Sequence, residues 1–344
     1  MSMWFKRASY EVICIGSASQ DIFFPTHEGI IIDTPEDMTA KQKIAFELGG
    51  KYKVKDRYEA IGGVAANVAC GLARLGHHVA AYSCVGSDQI GRFILHAFET
   101  EGVATELVTR LPGAKTDLSA IIVMTQNGER TIFHNRDAND RLQVVAEKLQ
   151  KTKWLFVSAL NGDWQKNLTT IGAAQASYGL KLALNPGQHN IKEGATIMLA
   201  FLPSVHVLLL NKDEATELLL NTKPTFTNEE LESERFLLTR LHEAGAQVVA
   251  LTDGKRGAWA YDGTEYWFCP IHTRSSVVDS TGAGDAFGSG FMAAYIAGKS
   301  VAEALQYGMA NSGSVIGAYG AIDGLLSKTE VETMVPTIVP ERLQ

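Results

Sequence analysis

The chain has 344 residues, of which 46% are hydrophobic and 20% are charged, and its formal net charge is −7. This length and apolar content fit one large domain or two ordinary ones with a substantial core. The charge is spread along the sequence without a basic block, which argues against nucleic acid as a partner. No apolar run reaches the roughly 18 residues that a membrane-spanning helix requires, so no membrane partner is expected.

The start of the chain and its cysteines indicate a reducing compartment. Residues 1–16 pass from a short polar stretch into an apolar strand pattern, unlike a secretory signal. The cysteines are far apart and form no metal-binding pattern, so we expect buried free thiols at Cys14, Cys70, Cys84 and Cys269. Together these features predict a cytoplasmic protein.

Short β-branched segments alternate with helical patterns along most of the chain. The first half predicts strands and helices in turn, at 10–17, 63–76 (a helix ending on Gly76), 78–86 and 88–102 (a helix). The second half predicts strands at 154–160, 181–187, 205–211 and 247–254, with a helix over 229–245 before the last of them. Buried strands alternating with helices indicate an α/β fold with a doubly wound, mainly parallel sheet.

Two segments interrupt this alternation. Residues 24–58 are polar and irregular, whereas residues 116–136 predict two strands around an Asn-Gly pair, which is a strong hairpin signal. A hairpin inside an α/β chain suggests a small antiparallel β lid. We therefore expect one domain over 1–344 with lid segments at roughly 18–60 and 112–138, and a lid edge able to pair two subunits into a homodimer.

A glycine-rich segment near the C-terminus is the strongest candidate for a functional site. A β-type segment over 265–279 meets a helical run over 286–305, and the junction carries two carboxylates, Asp279 and Asp285. In a doubly wound sheet, ligands bind beyond the carboxyl ends of the strands, which is where such a junction lies. The sequence Ala-Gly-Lys-Ser at 297–300 lacks the first glycine of a phosphate-binding P-loop and is rejected.

The small residues of the junction can form an anion hole. Free backbone N–H groups at a helix start attract an anion, and here they belong to Gly282, Ala283 and Gly284. A carboxylate beside a bound phosphate is unfavourable unless it does chemistry, so Asp285 fits a general base that deprotonates an attacking hydroxyl. The alternative is that Asp285 only caps the helix and the glycines only form a tight turn.

The same junction resembles a family signature. Residues 279–291 resemble the C-terminal signature of the ribokinase-like (PfkB) family of sugar and nucleoside kinases. Residues 61–76 resemble its N-terminal signature, in which a glycine pair precedes an asparagine that holds substrate hydroxyls. The likeness extends in the family's order from 15–21 to 316–321. It implies a ribokinase-like fold and an ATP-dependent, Mg²⁺-using kinase that phosphorylates a hydroxymethyl group of a sugar or sugar-like small molecule.

The resemblance also implies roles for individual residues. The catalytic set comprises Asp285 as base and, as anion hole, Gly282, Ala283 and Gly284. The substrate-binding set comprises Asp21, Gly62, Gly63 and Asn67. The nucleotide-binding set comprises Asn185, Asn211, Glu214, Thr252, Gly254, Gly257 and Ser312. Within that set, Glu214 helps to place Mg²⁺ through water.

A further implication concerns the second carboxylate of the junction. In the resembling family an aspartate at this position joins backbone carbonyls to hold a monovalent cation, often K⁺. The matching positions are the carboxylate of Asp279 and the carbonyls of Thr281, Ala318 and Gly320. The alternative is that Asp279 caps the turn or pairs with Arg274.

The chain departs from simple ribokinases at several positions. Ribokinases carry lysine, asparagine and glutamate where this chain has Val64, Ser19 and a residue near Asn161. The segment 47–63 is closer to the nucleoside-kinase branch. These differences put ribose in doubt as the substrate.

Two alternatives to a sugar kinase follow. A nucleoside kinase of the adenosine type would need an apolar wall for the base, for which the candidates are Phe23, Phe24 and Phe133. A catalytically idle ligand-binding protein on the same fold is the other alternative, and the presence of both Asp285 and the anion hole argues against it.

Overall fold

The computed structural model of the chain describes residues 10–34, 42–126, 130–222, 225–272 and 277–344. The strands in these ranges are β1 (Tyr10–Ile15), β2 (Ser19–Thr26), β3 (Ile30–Asp33), β4 (Gln42–Ala45), β5 (Tyr58–Gly62), β6 (Val79–Tyr82), β7 (Cys84–Gly86), β8 (Thr109–Leu111), β9 (Leu118–Met124), β10 (Arg130–Asn135), β11 (Thr152–Val157), β12 (Lys181–Leu184), β13 (Val207–Asn211), β14 (Val248–Thr252), β15 (Ala258–Tyr261), β16 (Tyr266–Cys269) and β17 (Glu341–Leu343). The α-helices are α1 (Val64–Arg74), α2 (Gln89–Thr100), α3 (Ala146–Leu149), α4 (Trp164–Tyr178), α5 (Gln188–Phe201), α6 (Lys212–Leu220), α7 (Asn228–Glu232), α8 (Glu234–Glu243), α9 (Ala283–Ile296), α10 (Val301–Val315) and α11 (Lys328–Met334).

A nine-stranded sheet forms the body of the molecule, in the order β17-β16-β15-β14-β13-β12-β11-β1-β6. The strands from β6 to β14 in this order are parallel, and β15, β16 and β17 continue the sheet antiparallel. Successive residues of β1 pack on opposite faces: Val12 and Cys14 join one apolar cluster, Ile13 and Ile15 the other. The first cluster includes residues of α1, α2, α9 and α10, and the second includes residues of α4, α5, α6 and α8. The predicted doubly wound, mainly parallel sheet is confirmed.

A smaller four-stranded sheet, hereafter the lid sheet, has the order β10-β9-β2-β5. Its outer pairs β9–β10 and β2–β5 are antiparallel, while its middle pair β2–β9 is parallel. The two strands predicted over 116–136 are confirmed as β9 and β10. The Asn-Gly turn predicted between them lies outside the described residues.

The irregular structure predicted for residues 24–58 is wrong in part. Strands β3 and β4 pair as an antiparallel two-stranded sheet, with Ile31 opposite Ile44. Three consecutive isoleucines, Ile30–Ile32, show no alternation of apolar and polar residues, so the pattern does not predict a half-buried strand there. The side chain of Ile30 is 67% exposed, so burial gives no signal either.

Most predicted helices are confirmed, but two of the predicted helical runs each divide into two helices. Helix α1 ends before Gly76, whose φ of 93° lies in the left-handed region. The run 229–245 divides into α7 and α8 at Ser233, whose side chain caps α8. The run 286–305 divides at Gly298 (φ 81°), and Ser300 caps α10. The rejected Ala-Gly-Lys-Ser motif is therefore a connection between two helices.

Two strand predictions need a smaller correction. The single strand predicted over 78–86 divides at Ser83 into β6 and β7. In the described part of the β-type segment 265–279, the strand is β16 (Tyr266–Cys269). As predicted, the four cysteines are buried and free. Within the described ranges, no helix has the length and apolar character needed to cross a bilayer.

Candidate active site

Polar residues collect at the carboxyl ends of three neighbouring parallel strands. Asn185 follows β12, Asn211 is the last residue of β13, and Thr252 is the last residue of β14. The first turn of α9 lies at the same edge, since Gly284 lines a cavity together with Asn211 and Thr252. This edge is where an open α/β sheet binds ligands.

The turn before α9 leaves space beside the start of the helix. Gly282 adopts a left-handed conformation (φ 77°), and a Cβ atom there would lie 2.3 Å from the Cβ atom of Ala321. Only glycine fits this position. At Gly284 no atom lies within 4 Å of the place of a Cβ atom, so space is open beside the helix start. The first N–H groups of a helix have no intrahelical partner and can bind an anion. Here the Ala283 N–H makes one long hydrogen bond, of 3.4 Å, to the Ser280 carbonyl.

Asp285, in the first turn of α9, is hydrogen-bonded to Asn67 of α1. The Asn67 Nδ2 atom donates to Asp285 Oδ2 at 2.7 Å. The Asn67 Oδ1 atom is buried and has no hydrogen-bond partner among the described residues. An unpartnered buried acceptor beside a carboxylate is suited to receive a hydroxyl hydrogen. One asparagine can thus contact both the carboxylate and a ligand hydroxyl.

The surroundings of Asp285 raise the pKa of its carboxyl group to near neutral pH. Burial raises the pKa of Asp285 from 3.8 to about 7, opposed by the Asn67 hydrogen bond and supported by the negative charges of Asp21 and Glu214. Burial likewise raises the pKa of Glu214 to about 7. A carboxylate with this pKa can accept a proton near neutral pH and return it easily, which is what a general base needs.

Asp21 lies on the side of the lid sheet that faces this carboxylate. It is buried on β2, and the hydroxyl of Ser19 donates to its Oδ1 atom at 3.2 Å. Burial raises the pKa of Asp21, and hydrogen bonds from Ser119 and Ser19 partly offset the rise. A Cβ atom at Gly62 would lie 2.2 Å from Asp21 Oδ2, so glycine permits this close packing. Gly63 (φ 91°) then turns the chain into α1, which carries Asn67.

The lid sheet separates the three aromatic candidates for a base-binding wall. Asp21, Ser119 and His134 are in register, and Ile22, Ala120 and Phe133 form the next row. Adjacent residues of a strand point to opposite faces. Phe23 therefore shares the face of Asp21, where it is buried against Tyr319, whereas Phe24 and Phe133 lie on the opposite face. Of the three candidates, only Phe23 therefore lies on the face that carries Asp21.

Two adjoining cavities bring the predicted nucleotide-binding residues together. The larger has a volume of about 390 Å³, and its lining includes Asn211, Thr252, Gly254, Gly257, Ala283, Gly284 and Ser312. The smaller has a volume of about 190 Å³, and its lining includes Asn185, Asn211, Glu214, Thr252, Gly284 and Asp285. Residues lining both are Asn211, Thr252, Gly284 and Phe287. A molecule in the larger cavity can therefore extend past Gly284 toward Asp285.

Asn211 and Glu214 also stabilise the start of α6. The Asn211 Oδ1 atom accepts from Glu214 N at 2.8 Å, and Asn211 N donates to Glu214 Oε2 at 3.0 Å. This reciprocal pair is a capping box. It fixes the Glu214 side chain by one oxygen while the residue lines the smaller cavity.

Asp279 is buried with one carboxylate oxygen unsatisfied. Its Oδ1 atom accepts from the Thr281 N and Oγ1 atoms at 3.0 and 2.8 Å, whereas Oδ2 has no hydrogen-bond partner in the described part of the chain. Val278 N donates to the Ile316 carbonyl at 2.8 Å, which brings the 316–320 segment alongside. A buried, unpartnered carboxylate oxygen near backbone carbonyls fits a cation. The alternative partner Arg274 lies outside the described residues.

Several contacts at the site carry no sequence signal. Arg130 of β10 donates from Nη1 to the Ser280 hydroxyl at 2.5 Å, and Tyr58 of β5 stacks on Tyr319 with ring centroids 4.4 Å apart. Both join the lid sheet to loops around α9. Residues that line the larger cavity outside the two family signatures include Lys255, Ile271, Val277 and Met309. Among the described residues no group of three or more His, Cys, Asp or Glu side chains could hold a metal ion.

Comparisons with known proteins agree with this geometry. The pfkB family carbohydrate kinase profile matches residues 11–328. An uncharacterized sugar kinase of Archaeoglobus fulgidus is 30% identical over 262 residues, covering 74% of this chain and 98% of the relative. The 2-dehydro-3-deoxygluconokinase of Bacillus subtilis is 27% identical over 308 residues, covering 83% and 90%. The structure of Arabidopsis thaliana ribokinase complexed with ribose and ATP superposes with a TM-score of 0.76 at 21% identity, covering 95% and 99%.

The structural likeness establishes that the fold is ribokinase-like. The family profile spans nearly the whole chain, so the sequence match is not confined to the site. The chain therefore belongs to the pfkB family of carbohydrate kinases, phosphotransferases with an alcohol group as acceptor.

Proposed function

We propose that the protein transfers the γ-phosphoryl group of ATP to a hydroxymethyl group of a sugar or sugar-like small molecule. The observation that carries this proposal is the position of Asp285. Its pKa is raised to about 7, it lines the smaller cavity, and it lies beside the open space at the start of α9. A base and an anion site at one point are what phosphoryl transfer to a hydroxyl requires.

In this mechanism each group has a distinct task. Asp285 takes the proton of the attacking hydroxyl, while Asn67 orients the carboxylate and, through Oδ1, a substrate hydroxyl. Asp21 accepts hydrogen bonds from other hydroxyls. The N–H groups of Gly282, Ala283 and Gly284 stabilise charge that develops on the transferred group. Because these donors are fixed by the helix, they require no reorganisation during the reaction.

The nucleotide is assigned to the larger cavity. Thr252, Gly254, Gly257 and Ser312 line it, and its open connection past Gly284 directs the phosphates toward Asp285. Asn185, Asn211 and Glu214 would hold Mg²⁺ through water, and the ion neutralises phosphate charge when bound. The carboxylate of Asp279 with the carbonyls of Thr281, Ala318 and Gly320 would hold a monovalent cation, which would stiffen the turn of the anion hole.

A nucleoside is a weaker alternative for the acceptor. Phe24 and Phe133 lie on the face opposite to Asp21, and Phe23 is already packed against Tyr319. The non-catalytic alternative is opposed by the raised pKa of Asp285, since a binding protein has no need of a carboxylate of neutral pKa beside an anion site.

The outer face of the lid sheet supports assembly as a homodimer. Phe133 is 62% exposed on β10, which is an edge strand, and its neighbours on that face include the partly exposed Ile22 and Ala120. An exposed apolar face at an unpaired edge favours association. We propose that two copies associate through this face.

The test of the kinase function is ADP release from ATP and Mg²⁺ across a panel of sugars and nucleosides. Asp285→Asn serves as the control that separates enzyme turnover from contaminating ATPase. Turnover of at least one sugar alcohol group that the variant loses supports the proposal. Tight binding of panel members without any turnover supports the non-catalytic alternative instead.

A further inference from the structure

The inner face of the lid sheet, the face that carries Asp21, also carries basic side chains. His134 is in register with Ser119 and Asp21 across three strands, so all three point to one side. By the same alternation Arg130, four residues earlier on β10, lies on this face, and its guanidinium reaches the Ser280 hydroxyl. Arg136 directly follows β10, two residues after His134, and so continues the same alternation beyond the end of the strand.

Arg136 is held by a neutral acceptor between the lid sheet and the main sheet. Its Nη1 atom donates to Asn161 Oδ1 at 2.7 Å, and Asn161 is buried, with 4% of its surface exposed. The loop carrying Asn161 follows β11 at the carboxyl edge of the main sheet. It is firmly placed, since a Cβ atom at Gly162 would lie 1.9 Å from the Asp140 carbonyl oxygen. The guanidinium therefore has a defined position between the lid sheet and the main sheet.

Most of the hydrogen-bonding capacity of this guanidinium is unused. In the described ranges no carboxylate lies within 4 Å of the side-chain nitrogens of Arg136, and its hydrogen bond to Asn161 is the one found there. Arginine has five N–H donors in a planar arrangement that matches the oxygens of a carboxylate or phosphate. A nearby arginine, Arg141, is by contrast paired with Asp137 at 2.5 Å.

The negative charges of the rest of the site bear on what kind of acceptor Arg136 could bind. Besides burial, the negative charges of Asp21 and Glu214 are close enough to raise the pKa of Asp285. These carboxylates repel an anionic acceptor unless a cation holds its far end. His134 is two interstrand spacings from Asp21, about 10 Å, and Arg136 lies two residues further along. That separation is suited to the two ends of a small sugar derivative.

We propose that the acceptor carries an anionic group, a carboxylate or a phosphate ester, bound by Arg136 at the end remote from the hydroxyl that Asp285 deprotonates. This inference rests on the proposed kinase function and deepens it by naming the class of acceptor. Arg136 is a specificity-determining residue in this scheme. Its hydrogen bond to Asn161 orients the guanidinium and leaves its remaining donors for the anion.

The experiment compares acceptors that share a carbon skeleton and differ in charge. The pairs are D-gluconate with D-glucitol, D-ribonate with ribitol, and fructose 6-phosphate with fructose. The full chain is assayed for ADP release, and kcat/KM is measured for the protein, for Arg136→Gln and for Arg57→Gln. Arg57 is the matched control because it pairs with Glu59, which lies opposite Ile22 on the outer face of the lid sheet. It is therefore an arginine beside the same sheet that lies away from Asp21.

We expect the anionic member to be preferred in at least one pair. Preference in either of the first two pairs would identify the anionic group as a carboxylate, and preference in the third would identify it as a phosphate ester. A hydrogen-bonded ion pair supplies about 10- to 100-fold, so Arg136→Gln should lower kcat/KM for that anion by this factor, mainly through KM. The same variant should leave the neutral partner unchanged, and Arg57→Gln should change neither. Equal losses for both members would show that Arg136 only holds the lid, and preference for the neutral member in every pair would overturn the inference.

Failure of the kinase function is distinguishable from failure of this inference. Binding of the same six compounds by titration calorimetry is a readout independent of turnover. Anion-selective binding that Arg136→Gln abolishes, without ADP release, supports the inference and removes the kinase function. Turnover of neutral sugars alone, with no anion bound, keeps the kinase function and refutes the inference.

Discussion

Replacing Asp285 by asparagine should inactivate the protein while stabilising its fold. Loss of a general base lowers kcat by about 100- to 10,000-fold. Asparagine keeps the shape and the hydrogen bond with Asn67 but cannot accept a proton. Since the base must be deprotonated, kcat/KM of the wild type should fall as the pH drops through about 7, the pKa of Asp285 in the free protein.

The gain in stability follows from the same pKa. A pKa difference of one corresponds to about 1.4 kcal/mol, so the rise from 3.8 to about 7 makes ionised Asp285 cost about 4 kcal/mol at most in the folded state. The folded pKa is raised, so the wild type loses stability as the pH increases from about 4 to about 7. The Asp285→Asn variant has no ionisable group at this position, so it does not lose this stability as the pH increases. The entropy of unfolding is about 0.7 kcal/mol per kelvin for a chain of 344 residues. If the variant recovers about half of this cost, its Tm at pH 8 should exceed that of the wild type by roughly 3 °C.

Two assays check the two halves of this prediction. ADP release with the best acceptor of the panel, between pH 5.5 and 9, gives the rate loss and the apparent pKa. Calorimetric unfolding of both proteins at pH 5 and pH 8 gives the change of Tm, which should be larger at pH 8. Asp163→Asn, an aspartate before α4 without a side-chain capping bond, is the matched control for a general charge effect. A variant with turnover within tenfold of the wild type, or with a lower Tm at pH 8, would refute the assignment.

Three further predictions concern the cation, the lid sheet and assembly. The kcat should be higher in K⁺ than in Na⁺ or tetramethylammonium at matched ionic strength, and Asp279→Ala, which removes the unpartnered oxygen, should erase the difference. Equal rates in all three salts would leave Asp279 a structural residue. Acceptor binding should slow hydrogen exchange of β9 and β10 amides, because lid closure excludes water; unchanged exchange at saturation counts against a lid. Phe133→Glu should dissociate the dimer in sedimentation velocity while Tyr178→Glu, an exposed aromatic on α4, does not, and a monomeric wild type contradicts the interface.

The parallel sheet and its helices could be predicted because their signals are local. Strands buried on both faces are continuous apolar runs, and α1 ends before a glycine in the left-handed conformation. The divisions at Ser233 and Gly298 were missed because good helix formers flank both positions. Ser300 followed by Glu303 is nevertheless a capping-box pattern that the sequence carries. Strand β3 was missed because its pairing with β4 depends on a partner rather than on its own pattern.

The same distinction applies to the site. The carboxylates and glycines of the α9 turn are contiguous in sequence, so their chemistry could be inferred from spacing. The contact of Arg130 with Ser280 joins residues 150 positions apart, and that of Arg136 with Asn161 depends on the register of β10. One residue of slippage would move each arginine to the outer face. The basic side of the site is thus a property of the sheet register, which the sequence pattern does not determine.

In the proposed mechanism, the positive charge beside Asp285 comes from bound cations rather than from a lysine or arginine side chain. Asp285 and Glu214 hold raised pKa values because both are buried near other carboxylates, and Asp279 keeps one oxygen without a partner. A protein-supplied lysine at these positions would lower the pKa of the base and compete for the phosphates. In the proposed mechanism, leaving the positive charge to Mg²⁺, a monovalent cation and the helix start would keep Asp285 a competent base until ATP and the acceptor are bound. The guanidiniums of Arg130 and Arg136 do not disturb this balance, because they contact the hydroxyl of Ser280 and the amide of Asn161 rather than the carboxylates.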